Sequence, residues 1–559
     1  MNRLRRVVNN TLISLLGQAI TWTSTLLLTI AYGRFLGVTG FGELYLALTF
    51  VSLVGFPMEF GFNQQLTRDI AQKPNEGLRY LSNILLIKGC LWILLFGLIL
   101  LSSSLLSYSP VELSLIAICG LGLLSDGIAN AFSSFHYAME RVTFPVIGGM
   151  LQKGLAALIG IVLLKYGAGV QIMAFVLLGG SLTNMLWQAL WGFRAVGYRF
   201  AIDGKLIREL LRTCIPFIVY GLLAVIYYRV DTVLLSFMAN TTVIGWYGAA
   251  YRLLDTMNFL PNLVIVAIMY PIFSKLSLSD EASLKLAVEK SMNFLLFCGI
   301  PIATLMIVAA PNIIGFLYHQ TQFIHSVPAL QALAPGLIFL YANTVLGTTI
   351  MSIKQEKKIT IMAAIALVFN VGLNLILIPR YEHIGAAAVT SLTELLLLGL
   401  SIYFTPRKLL PSRSLIVGIK AIVASALMAL AIWWFLPYNI FVVLPIALVS
   451  YLAAAMLLRT VPREDLQAIY KAIRRKASAA TALQTAHPQE EQETARDNSL
   501  LLAEEDTIPL RAVYHLQQMT PPIQLTEDDI ETVPMKAVHP ERFKTTTAQN
   551  TNPTELQPS

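Results

Sequence analysis

Ten charged residues lie inside the long apolar stretches of this chain, and their types suit the binding of an anion or a coupling ion. An ionisable side chain at membrane depth is costly, so it usually faces the interior of a helix bundle or a water-filled cavity. Arginine offers a forked pair of donors that matches phosphate, whereas lysine offers a point charge. The bases are Lys88, Lys153, Arg229, Arg252 and Lys420, and the acids are Glu59, Asp126, Asp231, Asp255 and Glu394.

Four of these charges lie in residues 224–255, which read as two apolar helices joined by a short polar turn. At ~1.5 Å of rise per residue, Asp231 and Arg252 reach similar depths, and so do Arg229 and Asp255. Two interpretations stay open for Asp231 and Arg252: a structural ion pair between the helices, or exposure to a cavity. Arg229 is predicted to face a cavity, because its own span has no acid at helical spacing.

The remaining charges allow similar alternatives. Lys153 is predicted to face a cavity for the same reason as Arg229. Lys88 and Lys420 either face the interior or extend to the membrane interface. Asp126 and Glu394 are candidate coupling sites for protons or sodium, with an ordinary buried hydrogen bond as the alternative. The predicted substrate-binding residues are therefore Arg229, Arg252, Lys153, Lys88, Asp231 and Asp255.

The composition places these residues in a polytopic, all-α membrane protein. Of 559 residues, 56% are hydrophobic and 13% are charged, with a mean hydropathy of +0.66. Such values are typical of chains with many membrane-spanning helices. Residues 1–458 carry 29 Lys and Arg against 17 Asp and Glu, whereas residues 459–559 carry 11 against 15. The basic excess belongs to the membrane part, so nucleic-acid binding is not expected.

Apolar runs of about 20 residues predict fourteen spans. If the N-terminus is cytoplasmic, the inside loops hold 21 Lys and Arg and the outside loops hold three. This bias predicts a multi-pass plasma-membrane protein with both termini in the cytoplasm. The predicted limits are 11–32, 41–62, 82–104, 113–135, 144–164, 170–193, 213–238, 242–272, 291–310, 328–351, 359–378, 384–404, 415–436 and 439–458.

Short internal similarities indicate a duplication. The segments 163–169 and 377–387 both end a span with a basic residue and Tyr and restart at Gly, and Phe41-Gly42 corresponds to Ile244-Gly245. Six spans per copy put the copies in the same orientation, a parallel repeat with the substrate site at its interface. The predicted parts are an N-lobe (1–200), a C-lobe (201–410) and two added spans (411–460).

The C-terminal region differs in composition. Residues 461–479 are predicted to form a basic amphipathic helix on the inner leaflet, and residues 480–559 a disordered cytoplasmic tail. Segments 506–513 and 531–538 match in chemistry and each follows acidic residues. We interpret them as a docking motif, with phosphorylation of Thr507 or Thr532 recruiting a phosphothreonine reader. The alternative is that the two segments are similar by chance, as can happen in a low-complexity tail.

Catalytic and metal-binding patterns are missing from the sequence. The histidines are scattered, the four cysteines lie at no metal-ligand spacing, and neither a phosphate loop nor a G-x-S-x-G motif occurs. No predicted outside loop has room for a catalytic domain. A transporter without cofactors is therefore expected, driven by an ion gradient, the membrane potential or removal of the product.

Several short stretches together resemble one transporter family. They are Gly33-Arg34-Phe35-Leu36-Gly37 with Phe41-Gly42, Phe60-Gly61-Phe62-Asn63 with Thr67-Arg68-Asp69-Ile70-Ala71, Arg229-Val230-Asp231-Thr232 with Gly245-Trp246-Tyr247, and residues 370–379 with Ile384-Gly385-Ala386-Ala387. In order and spacing they resemble the polysaccharide (O-antigen, Wzx-like) flippases of the multidrug/oligosaccharidyl-lipid/polysaccharide exporter superfamily. The resemblance covers about residues 5–458.

This resemblance implies a function and partners. The expected substrate is a polyprenyl-diphosphate-linked oligosaccharide, moved from the inner to the outer leaflet by alternating access for surface polysaccharide biosynthesis. Membrane lipids and polysaccharide assembly proteins are the expected partners. The alternatives are a peptidoglycan-precursor (lipid II) flippase and a cation-coupled multidrug exporter. The first span has Ser14, Gly17 and Gln18 where the peptidoglycan-precursor flippases carry cavity arginines.

Overall fold

The computed structural model describes residues 2–58, 61–106, 108–197, 201–319 and 321–460, and these ranges contain helices and no strands. The predicted amphipathic helix, the predicted tail with Thr507 and Thr532, and Glu59 lie outside the described residues. The helices are α1 (Asn2–Gly55), α2 (Phe62–Gln72), α3 (Gly77–Leu105), α4 (Pro110–Ala138), α5 (Thr143–Lys165), α6 (Val170–Val196), α7 (Gly204–Met238), α8 (Thr241–Met257), α9 (Phe259–Pro261), α10 (Tyr270–Ser279), α11 (Glu281–Val308), α12 (Ala310–Tyr318), α13 (Ser326–Ser352), α14 (Glu356–Phe404), α15 (Ser414–Trp433) and α16 (Ile440–Leu457).

Eleven helical segments of the described residues are long and apolar enough to cross a membrane, which makes this a polytopic membrane protein. The number differs from fourteen for identifiable reasons. α1 runs through a break at Gly37, where φ is 72°, and α14 runs through a break at Glu382, where φ is 46°. Each of these helices covers two of the predicted spans. α7 covers a further predicted span and is not among the eleven.

The helices form several apolar clusters. One apolar cluster is formed by α2, α3, α4 and the start of α7, which contributes Leu206, Leu210 and Cys214. A larger cluster joins α1 with α5, α8, α11, α13 and the end of α7 at Leu235. α15 and α16 pack against each other, and α15 also packs against α11. Between α9 and α10 the chain forms a π-helix, Asn262–Met269, so the eighth predicted span is not a continuous α-helix.

Near Gly37, α1 is held tightly against helices from the second half of the chain. Arg34 donates to the carbonyl oxygens of Phe316 and Leu317 at 2.7 and 2.8 Å, where α12 ends. The hydroxyls of Thr39 and Thr242 lie 3.3 Å apart. These contacts close the bundle at this end.

Two glycines, Gly42 and Gly245, allow a close approach of α1 and α8 at that end. A Cβ on Gly42 would collide with the carbonyl oxygen of Thr241 and lie 2.8 Å from the Gly245 nitrogen. A Cβ on Gly245 would collide with the carbonyl oxygen of Val38. The predicted correspondence of Phe41-Gly42 with Ile244-Gly245 thus places both glycines in one backbone crossing of α1 and α8.

The connection between the two halves is docked on α3. Arg79 donates to the carboxylate of Asp203, and Asn83 both donates to the Ala201 carbonyl at 2.8 Å and accepts from the Asp203 N–H at 2.8 Å. The hydrogen bond from Arg79 holds the pKa of Asp203 below its usual range. Asp203 also caps the start of α7. The beginning of α7 is therefore fixed to the first half of the chain.

Candidate functional site

Three of the predicted charges form one cluster where α7 meets α8. The Nη1 atom of Arg229 lies 3.5 Å from Oδ2 of Asp255, and Nη1 of Arg252 lies 4.0 Å from the same oxygen. Arg252 and Asp255 share a helix face because they are three residues apart. Two positive charges therefore share one negative charge, which leaves the Arg229–Asp255–Arg252 cluster with a net charge of about +1.

Both arginines line a central cavity of about 350 Å³ between the first and second halves of the chain. α1 lines it with hydroxyl groups, and the walls from α4 and α5 carry two further predicted charges, Asp126 and Lys153. The guanidinium of Arg229 also lies over the ring of Tyr251, 5.8 Å from the ring centroid. The hydroxyl-bearing residues of α1 in this wall are Thr25, Thr29, Tyr32, Tyr45, Thr49 and Ser52.

Two more cavities border the same cluster. One, of about 420 Å³, is lined by Arg229 and Asp255 and extends to Gly55 and Phe56, at the far end of α1 from Gly37. Another, of about 410 Å³, is lined by Arg252 and Asp255 and extends to Trp22 and Phe259, whose ring centroids lie 3.9 Å apart. The side chains of Arg229, Asp255 and Arg252 are 28%, 30% and 33% exposed, so they are accessible from these cavities. The first of these two cavities lies away from the closed end, whereas the second reaches Leu317 and Tyr318 beside it.

Two tyrosine hydroxyls in the central cavity find no partner among the described residues. Tyr32 and Tyr45 are 7% and 5% exposed, and the hydroxyl of each is buried without a hydrogen bond. A buried hydroxyl without a partner costs about 1–3 kcal/mol, so it is normally satisfied by water or a ligand. Beside two arginines, these hydroxyls add donors to a site that suits a phosphate group.

Replacing Tyr32 or Tyr45 with phenylalanine tests this part of the wall. Each change removes one unpartnered hydroxyl, so we expect transport to fall by about two- to tenfold while thermal stability stays the same. A matched control is Tyr318→Phe, whose hydroxyl donates to the Ala249 carbonyl at 3.1 Å. That control is expected to lower the melting temperature. Unchanged transport in both cavity variants would contradict the assignment.

Lys88 lies apart from the cavity that it was predicted to line. It is 0% exposed and donates from Nζ to Oδ1 of Asn63 and to the Gly127 carbonyl, both at 2.9 Å. Lys88 does not extend to the membrane interface either, because its ammonium group is buried among α2, α3 and α4. Lys420 does fit the interfacial alternative, since it is half-buried and donates to the Arg459 carbonyl at 3.2 Å, at the end of the described residues.

Asp231 is not paired with Arg252, contrary to one of the two interpretations. It is 3% exposed and accepts from the Tyr247 hydroxyl, from the Thr390 hydroxyl at 3.3 Å and from the Thr232 N–H at 2.7 Å. It lines a pocket of about 20 Å³ rather than the central cavity, together with Glu394. A space of this size holds about one water molecule.

Glu394 shares this second polar group. The Tyr227 hydroxyl donates to its Oε1 at 2.6 Å, and the Asn343 amide donates to its Oε2 at 2.7 Å. The buried hydrogen bonds that were the alternative for Glu394 are therefore present. The two candidate coupling acids lie in different halves of the chain, with Asp126 at the central cavity and Glu394 beside Asp231.

Sequence reasoning missed several residues of the cavity wall. Tyr32, Tyr45 and Gln152 are uncharged and lie in apolar spans, so a search for intramembrane charges passes over them. The spacing of polar residues along α1 carries the available signal: Thr25, Thr29 and Tyr32 recur at three- and four-residue intervals and so share one helix face.

Residues 7–277 match the family described as polysaccharide biosynthesis protein. The match covers slightly less than half of the chain. The predicted resemblance to polysaccharide flippases is thereby confirmed. Relatives of this chain include the probable low-salt glycan biosynthesis flippase Agl15 of Haloferax volcanii, 22% identical over 65% of this chain and 75% of that protein. The probable lipid II flippase MurJ of Haemophilus influenzae is 25% identical over 37% of this chain and 43% of that protein.

A third relative is less informative about function. An uncharacterised membrane protein of Methanocaldococcus jannaschii is 28% identical over 33% of this chain. This alignment spans 37% of the relative's own length, so the chain matches well under half of that protein. Two of these three relatives are described as probable flippases.

Solved structures share the fold. The lipid II flippase MurJ in an inward closed conformation aligns with a TM-score of 0.67 at 16% identity, over 81% of this chain and 99% of that one. An inward-facing multidrug resistance MATE family transporter aligns with a TM-score of 0.57 at 14% identity, over 70% and 95%. At these identities the similarity concerns the architecture alone.

Proposed function

We propose that this protein is a flippase that moves a polyprenyl-diphosphate-linked oligosaccharide from the inner to the outer leaflet for surface polysaccharide biosynthesis. The observation that carries the proposal is the Arg229–Asp255–Arg252 cluster at the central cavity. A diphosphate needs cationic donors in a low-dielectric site, and two arginines that share a single carboxylate keep most of their N–H groups for a ligand. Lys153 adds a third positive charge across the cavity.

The neutral parts of the cavity suit the other parts of this substrate. The hydroxyls of α1 and the amide of Gln152 offer hydrogen bonds to sugar hydroxyls. The cavity beside Trp22 and Phe259 has an apolar border, and the two rings are in contact, with centroids 3.9 Å apart. Separation of these rings would open a lateral route for the lipid chain while the head group occupies the central cavity. The polyprenyl chain can then stay in the bilayer during transfer.

The proposed topology has fourteen spans with both termini in the cytoplasm. It follows from the two broken helices, from α7 and from the excess of Lys and Arg in the inside loops. In this orientation the contacts near Gly37 close the outer end, and the cavity beside Gly55 lies toward the cytoplasm. Transport then requires the α1–α8 crossing to open as the inner side closes.

The peptidoglycan-precursor flippase is the second candidate, because MurJ shares the fold and its substrate also carries a diphosphate. Against it stands the first span, where Ser14, Gly17 and Gln18 leave the cytoplasmic half of α1 without arginine. A multidrug exporter is favoured less, since the central cavity carries three bases and one acid.

A flipping assay in proteoliposomes tests the proposal. The purified protein is reconstituted with a fluorescent polyprenyl-diphosphate oligosaccharide, and movement between leaflets is followed by quenching from outside. We expect the lipid to cross only when the protein is present. Lipid II and the same glycan on a polyprenyl monophosphate serve as comparisons. Transfer of lipid II alone would favour the second candidate, and equal transfer of the monophosphate would contradict a diphosphate site.

A further inference from the structure

The walls of the central cavity differ in the hydrogen bonds that they offer to a ligand. α7 and α8 contribute the guanidinium groups of Arg229 and Arg252, which can only donate. The hydroxyls of Tyr32 and Tyr45 add donors from α1, and Lys153 adds a base from α5. The remaining polar groups on α1, α4 and α5 are mostly acceptors, so different parts of a ligand should prefer different walls.

Three hydroxyl groups of α1 face the cavity as acceptors. The hydroxyl of Thr25 donates to the Thr21 carbonyl, and the hydroxyl of Thr29 donates to the Thr25 carbonyl, both at 2.8 Å. The Ser52 hydroxyl donates to the Thr49 carbonyl at 2.8 Å. A hydroxyl group has a single hydrogen, so each of them uses its donor within the helix. The oxygen lone pairs remain for a ligand.

Gln152 on α5 holds Asp126 of α4 in place as a further acceptor. The Gln152 amide nitrogen donates to Oδ1 of Asp126 at 2.9 Å and to the Ser181 hydroxyl at 3.1 Å. These two bonds use both amide hydrogens, while the amide oxygen accepts from Asn184 at 3.0 Å. Gln152 is therefore a positioning residue, and the carboxylate that it orients can only accept hydrogen bonds.

Tight packing of α5 against α6 limits the movement of these side chains. A Cβ on Gly180 would lie 2.7 Å from the Gln152 carbonyl oxygen, and a Cβ on Gly148 would collide with Oδ1 of Asn184. The side chains of Gln152 and Asn184 are thus confined between two closely packed helices. The Asp126 carboxylate keeps its direction before a ligand arrives, which lowers the cost of binding.

α1 brings its acceptors to the same part of the cavity as α5. A Cβ on Gly149 would lie 3.9 Å from Cγ2 of Thr21, and a Cβ on Gly160 would lie 2.8 Å from Cδ1 of Leu28. α1 therefore runs beside α5 between these two contacts. Thr25 lies midway between Thr21 and Leu28, so its hydroxyl faces the cavity next to α5.

A wall of acceptors is unfavourable for phosphate and favourable for sugar. Phosphate oxygens are anionic acceptors, so against Asp126 they would meet a like charge with no hydrogen to share. Sugar hydroxyls can donate to a carboxylate and to hydroxyl oxygens. The cavity of about 350 Å³ is near the lower end of ligand pockets, which measure about 300–1,000 Å³. It therefore has room for the diphosphate and one adjoining sugar rather than a whole oligosaccharide.

We propose that Asp126, Thr25, Thr29 and Ser52 form a subsite for the sugar attached directly to the diphosphate, and that this subsite selects a sugar with free hydroxyl groups. The inference rests on the proposed function, because the arginine cluster has to hold the diphosphate beside this wall. Sugars farther along the oligosaccharide lie outside the subsite and are not selected by it.

Binding to the purified full-length protein in detergent tests the subsite without transport. Isothermal titration calorimetry compares farnesyl diphosphate, the same lipid carrying one glucose, and the same lipid carrying a glucose in which fluorine replaces three hydroxyl groups. Fluorine preserves the approximate size of the sugar but cannot donate a hydrogen bond. We expect glucose to raise the affinity by about tenfold or more, and the fluorinated sugar to lose this gain.

Asp126→Asn is expected to change the two affinities differently. Loss of the carboxylate should weaken binding of the glucose-bearing lipid by about tenfold, whereas loss of a negative charge should leave the affinity for farnesyl diphosphate equal or higher. A damaged fold would weaken both. Thr25→Val removes one acceptor, so it should weaken binding of the glucose-bearing lipid alone by about two- to fivefold. It carries the test if Asp126→Asn fails to fold.

Thr183→Val is the matched control for Thr25→Val. The Thr183 hydroxyl makes the same kind of bond within its helix, to the Gly179 carbonyl at 2.8 Å, but lies outside the cavity wall. All affinities should stay unchanged in this control. Arg229→Ala should weaken binding of all three lipids alike.

The subsite and the proposed function fail in different ways. Equal affinity of the wild type for farnesyl diphosphate with and without glucose would overturn the subsite and leave the diphosphate site in place. An undiminished preference for glucose in both Asp126→Asn and Thr25→Val would also overturn it. If none of the three lipids binds, the proposed function and the subsite are both wrong.

Discussion

Replacing Arg229 with alanine is expected to reduce flipping by more than tenfold while the amount of folded protein in the membrane stays the same. The loss follows from removing a forked donor that faces two of the cavities around the cluster. Folding is expected to survive because Asp255 keeps a second cationic neighbour, Arg252, at 4.0 Å. The measurements are the proteoliposome flipping rate and the amount of surface polysaccharide in cells, each normalised to protein level.

A double-mutant cycle separates substrate binding from a purely structural ion pair. If Arg229 serves only to neutralise Asp255, then removing both side chains in Arg229→Ala/Asp255→Ala should restore transport. If Arg229 binds the diphosphate, the double variant should stay as inactive as Arg229→Ala. Arg229→Lys keeps the charge but loses the fork, so we expect partial activity. Full recovery in the double variant would refute the binding role.

The second large effect is expected from Gly42→Ala. The added methyl group would meet the Thr241 carbonyl, which is backbone and cannot rotate aside, so α1 and α8 must separate. We expect more than a tenfold loss of flipping, because the closed end can no longer form and alternating access stops. Labelling of a cysteine introduced at Thr39 by a membrane-impermeant maleimide is expected to increase at the same time.

Gly399→Ala supplies the comparison for this effect. Gly399 lies in α14, is exposed, and has open space where a Cβ would be placed. The same substitution there should leave both flipping and labelling unchanged. Normal flipping by Gly42→Ala would show that the tight crossing is not needed for transport.

The charge cluster shows what depth along a helix can and cannot predict. Counting residues from the turn correctly places Arg229 and Asp255 at one depth, and these two do form a pair. The same count suggests pairing of Asp231 with Arg252, yet Asp231 points to Tyr247 and Thr390. Depth follows from rise per residue, whereas the direction of a side chain depends on how α7 is rotated against α8 and α14. That rotation is set by packing between distant parts of the chain.

A search for intramembrane charges also overlooks neutral polar residues. Lys88 looked like a cavity base because an intramembrane ammonium is unusual, but its partners are an amide and a backbone carbonyl on neighbouring helices. Gln152, Ser181 and Asn184 are single polar residues on two helices, and nothing in the sequence shows that they lie together. The spans themselves were more predictable, since long apolar runs are local features of the sequence. The helix breaks at Gly37 and Glu382 fall between predicted spans.

The contact of Asp203 with α3 determines how α7 is attached to the first half of the chain. The first turns of α7 pack with α2 and α3 in the first half, through Leu206, Leu210 and Cys214, while its last turns, near Leu235, join the cluster that combines both halves. If transport proceeds by alternating access as proposed, α7 connects two parts of the bundle that move relative to each other. Its stiffness then contributes to the barrier of the transport cycle.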